Sequence, residues 1–281
     1  QAVQPELYSF PEYDTQQSIY MDLLKELNEA QAALNGASAA AMKSADNFYQ
    51  GDASKWRKFA NSLMLRVAMR MSKVDPAAAE QWVKTAVANG VFESDADNCM
   101  LMHAGGLTTN DFSEPYAKIY SHEDRGNFFL TEYFVDLLKS TNDPRLSLIG
   151  TVCEEPTISV QAGSDFQYGN SDPAVQKGLP SGFSDSPDSP WFVGNKYPEF
   201  KDEDYRSTYR SRYSTINRYT YSDSTGPTFV CTYAQTQLLL AEAAVRGWVD
   251  GSAQTYYENG VRAACGSSHS SPTARRCIIS I

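Results

Sequence analysis

Cations are in short supply: Lys and Arg number 24 against 34 Asp and Glu in 281 residues, a net charge of −10. Duplex nucleic acid and anionic membranes need clustered Lys and Arg to neutralise phosphate, so both are excluded as partners. No run of about 18 apolar residues occurs, which leaves no candidate for a membrane-spanning helix. Histidine is scarce as well, and His122-Glu123-Asp124 lacks the second histidine of a zinc-protease helix. His103, His122 and His269 are therefore read as ordinary surface or core residues. The five cysteines (Cys99, Cys153, Cys231, Cys265, Cys277) are odd in number and form no C-x-x-C pair, so neither a zinc site nor a disulfide framework is legible. Neither a G-x-S-x-G elbow nor a phosphate loop ending in Gly-Lys-Ser/Thr is present. The pairs Asp95/Asp97 and Asp202/Asp204 could serve as acid and base on a glycoside only if they faced each other across a sugar, which spacing alone does not set. Acidic clusters in loops are usually solvated, or bind calcium weakly. The reading is non-enzymatic: no catalytic residue, metal ligand or cofactor is assigned. The opening QAVQPELYSF has no charged n-region, apolar h-region or initiating Met, and is expected to be a processed or trimmed start.

What is present is material for a core: 42% of the residues are hydrophobic, and the length suits one large domain or two small ones. The first third reads as helices. Asp14-Thr15-Gln16-Gln17 resembles a cap, after which Ile19, Leu23, Leu27, Ala30 and Leu34 are expected on one buried face, with Asn35-Gly36 as the stop. A second helix should begin after Gly51-Asp52. It would bury Trp56, Phe59, Ala60, Leu63, Val67 and Met71, and expose Arg57, Lys58, Arg66, Arg70 and Lys73. Asp75-Pro76 opens a third helix, with Trp82, Val83, Ala86 and Val87 inside and Asn89-Gly90 at its end. Thr131 to Ser140 forms a short helix that Asn142-Asp143-Pro144 terminates. From 141 to 228 no helical period persists, and a structureless stretch of that length generally carries function or disorder. Helix resumes from Phe229 to Arg246, stops at Gly247, and a partner helix runs from Asp250 to Arg262. That last pair is about one tetratricopeptide unit long, with Ala241, Ala244 and Ala253 where two helices must approach closely.

Tyrosine is abundant, 17 of 281 residues. Trp191, Phe192, Tyr197, Phe200, Tyr205, Tyr209, Tyr213, Tyr219 and Tyr221 crowd into the loop-rich stretch, interleaved with Arg206, Arg210, Arg212 and Arg218. Exposed rings stack on the apolar faces of sugars while Arg, Asn and Asp bond the hydroxyls at their edges. Equally, a loop-rich segment needs large rings to anchor it to its scaffold, and both readings stand. The candidate ligand-binding residues are Trp191 as a stacking platform, with Tyr197, Tyr205, Tyr209 and Arg210. Trp56, Trp82 and Trp248 fall on helical stripes or at a helix end and are assigned to the core. Arg145, after Asp143-Pro144, is assigned a structural role at a helix end.

Three phrases carry a family resemblance: YQGDASKWRKFANSLMLRVAMRMSKVDP (Tyr49 to Pro76), TEYFVDLLKSTNDPRL (Thr131 to Leu146) and TYAQTQLLLAEAAVRGWVDGSAQTYYENGVRAA (Thr232 to Ala264). Together, and in this order, they resemble the SusD/RagB family, and more closely the SusD-like outer-membrane lipoproteins of Bacteroidetes. The resemblance covers most of Tyr13 to Ala264. It implies a mainly α fold of tetratricopeptide-like helical pairs with a long irregular loop-rich insertion. The expected organisation is one SusD-like domain over 1–264, with scaffold at 14–140 and 229–264 and a ligand excursion at 141–228, followed by an atypical tail at 265–281. The resemblance further implies a non-catalytic cell-surface protein, lipid-anchored in its precursor at the outer membrane. It would capture glycans, or peptides as in the RagB branch, and pass them to a SusC-like TonB-dependent transporter. Three departures stand out. The anchoring cysteine and lipoprotein signal are lacking, the chain is shorter than a typical relative, and the tail CGSSHSSPTARRCIISI has no helical period, like a shifted reading frame or a premature end. The chain is accordingly expected to be incomplete, with reduced stability or tail-driven association from exposed apolar surface. The competing function is a helical-repeat protein that binds a peptide or protein partner on its helix pairs.

Overall fold

The computed structural model describes residues 13–37, 43–106, 112–119, 128–152, 169–208, 212–217 and 224–267. In chain order the elements are α1 (Gln16–Ala33), α2 (Ala53–Arg70), α3 (Pro76–Asn89), β1 (Cys99–Leu101), α4 (Pro115–Lys118), α5 (Glu132–Ser140), α6 (Leu146–Ile149), β2 (Gly150–Val152), α7 (Glu203–Thr208), β3 (Ser214–Ile216), β4 (Thr228–Cys231), α8 (Tyr233–Val245) and α9 (Ala253–Ser267). The fold is mainly α, as the sequence reading expects. Contacts divide it into two compact units, Gln1–Leu101 with Phe229–Ser267, and Met102–Thr228. The second unit thus begins well before residue 141 and takes the Thr131–Ser140 helix with it.

In the first unit the helix starts lie where short polar side chains relieve the unpaired amides of a first turn. Thr15 Oγ1 accepts from Ser18 N, Asp52 Oδ1 from Ser54 N and Lys55 N, Asp75 Oδ1 from Ala78 N, and Thr232 Oγ1 from Gln235 N. Pro76 occupies the first helical position of α3, and Gly90 ends it at φ 95°. Leu24, Met64, Leu65, Ala68, Met69, Ala79, Val83, Ala86, Leu240, Ala243 and Trp248 form one core. Full burial of each large side chain there contributes about 1.5–3 kcal/mol before entropy. Trp82 and Val87 pack against it as expected.

The buried stripe of α1 is displaced from the expected one. Ile19 and Leu23 are exposed, whereas Tyr20, Leu24, Leu27 and Gln31 turn inward. Both sets satisfy the 3.6 period, and only packing against α2 chooses between them. α2 departs differently: Ala60 and Met71 are buried as expected, but so are Asn61, Ser62, Met64, Leu65, Ala68 and Met69. Being central to the unit, α2 is enclosed on most of its circumference, so a single stripe understates its burial. Its cations are not all solvated either: Lys58 Nζ pairs with Glu93 at 2.7 Å and Asp97 at 3.1 Å. Asn61, fully buried, donates to the carbonyls of Asn89 and Gly90 at 3.2 and 2.9 Å, satisfying acceptors at the end of α3.

A second cluster joins Tyr49, Phe92, Cys99 and Cys231 with Trp56, Phe59 and Tyr233. The turn leading into it is held by Asp46. One carboxylate oxygen accepts from Phe48 N and Tyr49 N, the other from Gly51 N and Trp56 Nε1 at 2.8 Å each. Partial burial works against the charged carboxylate, but these four donors outweigh it and lower its pKa to about 2. They also hold Gln50 and Gly51 at φ 52° and 81°, a left-handed pair that glycine tolerates and glutamine resists.

Residues 228–231 are a strand beside β1, not helix as expected from Phe229, and α8 starts only after its Thr232 cap. β-Branched and aromatic Thr228-Phe229-Val230 explain the strand. Gly247 ends α8 at φ 74°. α9 begins later than Asp250 and runs to Ser267, so the first three residues of the supposed tail are helical. Residues 268–281 lie outside those described. Of the small residues expected between α8 and α9, Ala241 is buried, but the tightest point is Gly260, where a Cβ would meet Leu238 Cγ at 2.8 Å and the Ala234 carbonyl at 3.2 Å.

Among its described residues the second unit is built from short elements. β2 and β3 pair antiparallel, Gly150 with Ile216 through Val152 with Ser214. One apolar cluster holds Leu130, Val135, Leu138 and Leu146, and another holds Phe192, Val193, Phe200, Tyr205 and Tyr213. Arg145 forms a two-pronged ion pair with Asp143 at the start of α6, a structural role as assigned.

Candidate functional site

The segment from Phe183 to Tyr197 is an irregular loop with an ordered base. Ser184 N donates to the Trp191 carbonyl and Val193 N to the Ser184 carbonyl, both at 2.8 Å. Between these anchors, Ser186 N bonds Ser184 Oγ, Ser189 N bonds the Ser186 carbonyl, and Trp191 N bonds Ser189 Oγ. Serines therefore replace the ladder that the prolines at 187 and 190 cannot join. Phe192 and Val193 point into the core, and a Cβ at Gly194 would sit 2.4 Å from the Phe192 ring. The next residue in the opposite sense, Trp191, is 71% exposed. A large ring left in water on a pinned backbone has no packing role, which is the condition for a stacking platform.

Tyr197 closes the same loop. Its hydroxyl donates to Glu132 Oε2 at 2.8 Å, and its ring meets Phe183 edge-on, centroids 5.7 Å apart. Lys196 Nζ stands 5.6 Å from the Phe183 ring and 5.1 Å from the Tyr197 ring, a cation over two π faces. Phe183 is itself 37% exposed and Tyr133, next to Glu132, 77%. The loop thus carries exposed rings beside a carboxylate and an ammonium, the groups that recognise a polyhydroxylated ligand.

The other candidates separate. Tyr205 is buried: its ring packs on Phe200 at 4.9 Å, its hydroxyl lies 2.8 Å from that of Tyr213, and the Arg212 guanidinium sits 4.3 Å over its face. Burial, then the bond to Tyr205, hold the Tyr213 phenol well above its usual range. Tyr209 and Arg210 lie outside the described residues. Phe183, Lys196 and Glu132 were not singled out in the sequence. Phe183 stands in the same Ser/Asp/Pro-rich run as Trp191 and could have been found there, whereas Glu132 comes from another element and could not. One member of each acidic pair is a cap. Asp97 accepts from Glu93 N and Ser94 N, and Asp202 from Asp204 N. His103 bonds Thr228 Oγ1 at 2.9 Å beside Phe112, while His122 and His269 lie outside the described residues. Among the described residues no cluster of His, Cys, Asp and Glu could hold a metal, and no helix is long and apolar enough to cross a membrane.

The first unit is built of paired helices, and the second carries a pinned loop that bears exposed aromatic rings. The chain belongs to the SusD-like family, described as starch-binding associating with outer membrane, whose profile matches residues 1–272. Among solved structures it is similar to a chitin-binding protein, at 32% identity over 92% of this chain and 49% of that one, TM-score 0.67. It is also similar to a Bacteroidetes SusD-like protein, at 26% identity over 93% and 56%, TM-score 0.73. A chitin-binding SusD homologue from Flavobacterium johnsoniae shares 25% identity over 91% and 45%, TM-score 0.65. The chain thus spans about half the length of these structures. No protein of curated function matches it.

Proposed function

We propose that this protein captures a glycan at the outer face of the outer membrane and passes it, uncleaved, to a SusC-like TonB-dependent transporter, with a lipid anchor in the precursor. The observation that carries the reading is Trp191, 71% exposed on a loop fastened at both ends by backbone hydrogen bonds. Membership of a family described as starch-binding supports it, as does the chitin-binding description of two similar structures. Trp191 offers the stacking face, with Phe183 and Tyr197 on the same loop and Glu132 and Lys196 as polar partners. Tyr209 and Arg210 remain proposed contacts, while Tyr205 stiffens the site from within through Tyr213.

Titration with chitin and starch oligosaccharides is the test. Binding without product release, weakened about fivefold or more by Trp191→Ala, is expected, since one aromatic platform contributes about 1 kcal/mol or more. Unchanged affinity in that variant, or release of shorter sugars, would overturn it. The exposed Val245 (78%), Tyr257 (58%) and Val261 (41%) on α8 and α9 favour a second reading, a peptide or protein partner on that helix pair. In that case Tyr257→Ala abolishes binding and Trp191→Ala does not.

A further inference from the structure

We propose that Cys99 and Cys231 are oxidised to each other as the chain folds, forming a buried disulfide at the point where the polypeptide leaves the first unit and returns to it. Cys99 opens β1 and Cys231 closes β4, and these two strands are hydrogen-bonded neighbours. Neighbouring strands run about 4.7–4.9 Å apart, so two cysteines that stand opposite each other on them fall within the Cα span of about 4.4–6.8 Å that a disulfide bridges. Both side chains enter the same apolar cluster, at 1% and 2% exposure. The Cys99 sulfur lies against the Tyr49 hydroxyl, and both thiols bear on that phenol.

The backbone around the pair is fixed on either side. Asn98 Oδ1 accepts from Tyr233 N at 2.6 Å, and the Asp97 carbonyl accepts from the Tyr49 hydroxyl at 2.7 Å. The structure holds both residues as thiols, with Cys231 Sγ donating to Gln235 Oε1 at 3.7 Å. Two thiols brought to one enclosed cluster from sites this far apart in sequence are preorganised for each other and for no third cysteine among the described residues. The bond would close the chain between Leu101 and Phe229, the whole second unit, into a covalent loop.

The oxidant is a disulfide-bearing species, glutathione disulfide or a dithiol oxidase. One cysteine, as thiolate, attacks it to give a mixed disulfide and expels one thiol. The second thiolate then attacks the protein sulfur and expels the other. The cysteine pair loses two protons and two electrons, and the oxidant leaves as two thiols. Burial raises both thiols above the ordinary cysteine range, so thiolate is rare once the cluster has closed and the exchange belongs to the folding chain.

The test is a peptide map that does not use glycan binding, so its outcome is separate from that of the capture reading. The full chain is denatured in reductant, refolded in mixed oxidised and reduced glutathione, alkylated, and digested without reductant. The expected result is a linked peptide pair carrying Cys99 and Cys231, lighter by two hydrogens than its parts, with both sites lost to alkylation. Cys99→Ser should abolish that pair and return Cys231 to alkylation. Alkylation of both cysteines in the refolded wild type, or linkage of either to Cys153, Cys265 or Cys277, overturns the proposal. Should the variant fail to fold, the wild-type map decides alone.

Discussion

Replacing Asp46 by Asn tests the reading of the turn before α2 at a single atom. The carboxylate receives Phe48 N and Tyr49 N on one oxygen and Gly51 N and Trp56 Nε1 on the other. An amide can serve only one of these pairs as an acceptor and turns its own N–H groups on the other. The folded pKa is about 2 against 3.8 for the ordinary carboxyl, because four donors outweigh the cost of burial. Converted at about 1.36 kcal/mol per unit and discounted for partial exposure to water, this is roughly 1 to 2 kcal/mol of stability. Since the folded value is the depressed one, the contribution is fully present above the unfolded pKa. It is lost as pH falls through the window between the two values, from about 4 to about 2. Urea unfolding followed by tryptophan fluorescence at neutral pH should show Asp46→Asn less stable than wild type by that amount. The gap should narrow steadily as the pH approaches 2.5. A variant within about 0.3 kcal/mol of wild type at neutral pH, or a gap that does not change with pH, would refute the argument.

Two further outcomes are expected alongside the loss of glycan affinity in Trp191→Ala and the Cys99–Cys231 peptide pair. In Gly178→Ala the added Cβ would lie 2.3 Å from the Thr131 carbonyl oxygen and 2.4 Å from Glu132 Cα, both backbone atoms that cannot step aside. Stability should fall by about 2 to 3 kcal/mol, and an unchanged urea midpoint would count against the close approach of that loop to α5. Tyr49 and Tyr213 are held above the usual phenol range, in each case first by burial. Raised values mean stability that is full below the unfolded pKa of about 10 and is lost as pH rises beyond it. Absorbance at 295 nm should therefore show the last tyrosines ionising together with alkaline unfolding. A single step near pH 10 with the fold intact would contradict this.

The helix caps were legible residue by residue, because capping is local. Thr15, Asp52, Asp75-Pro76 and Gly247 act where their types and spacing placed them. The α1 stripe was not, since Ile19-Leu23 and Tyr20-Leu24 fit the same period and only the position of α2 breaks the tie. Residues 229–231 are expected as helix yet form strand, because a strand this short pairs with β1, more than a hundred residues away, and leaves no local period. At the candidate site the aromatic crowding between 191 and 221 is visible in the sequence, but the roles within it are not. Trp191 and Phe192 are adjacent in sequence, yet one ring is exposed and the other buried.

By itself, then, the sequence determined the helical class, the family, the start of most helices and the loop region that bears the aromatics. All of these depend on residue type and spacing over a few turns of chain. Tertiary structure alone decided which face of each helix is inside, and which ring stacks in the core on Tyr213 and which stands in water. It also brought Glu132 to the Tyr197 hydroxyl and Cys99 to Cys231. Each of these is a choice between locally equivalent side chains, made by whatever distant segment occupies the space beside them.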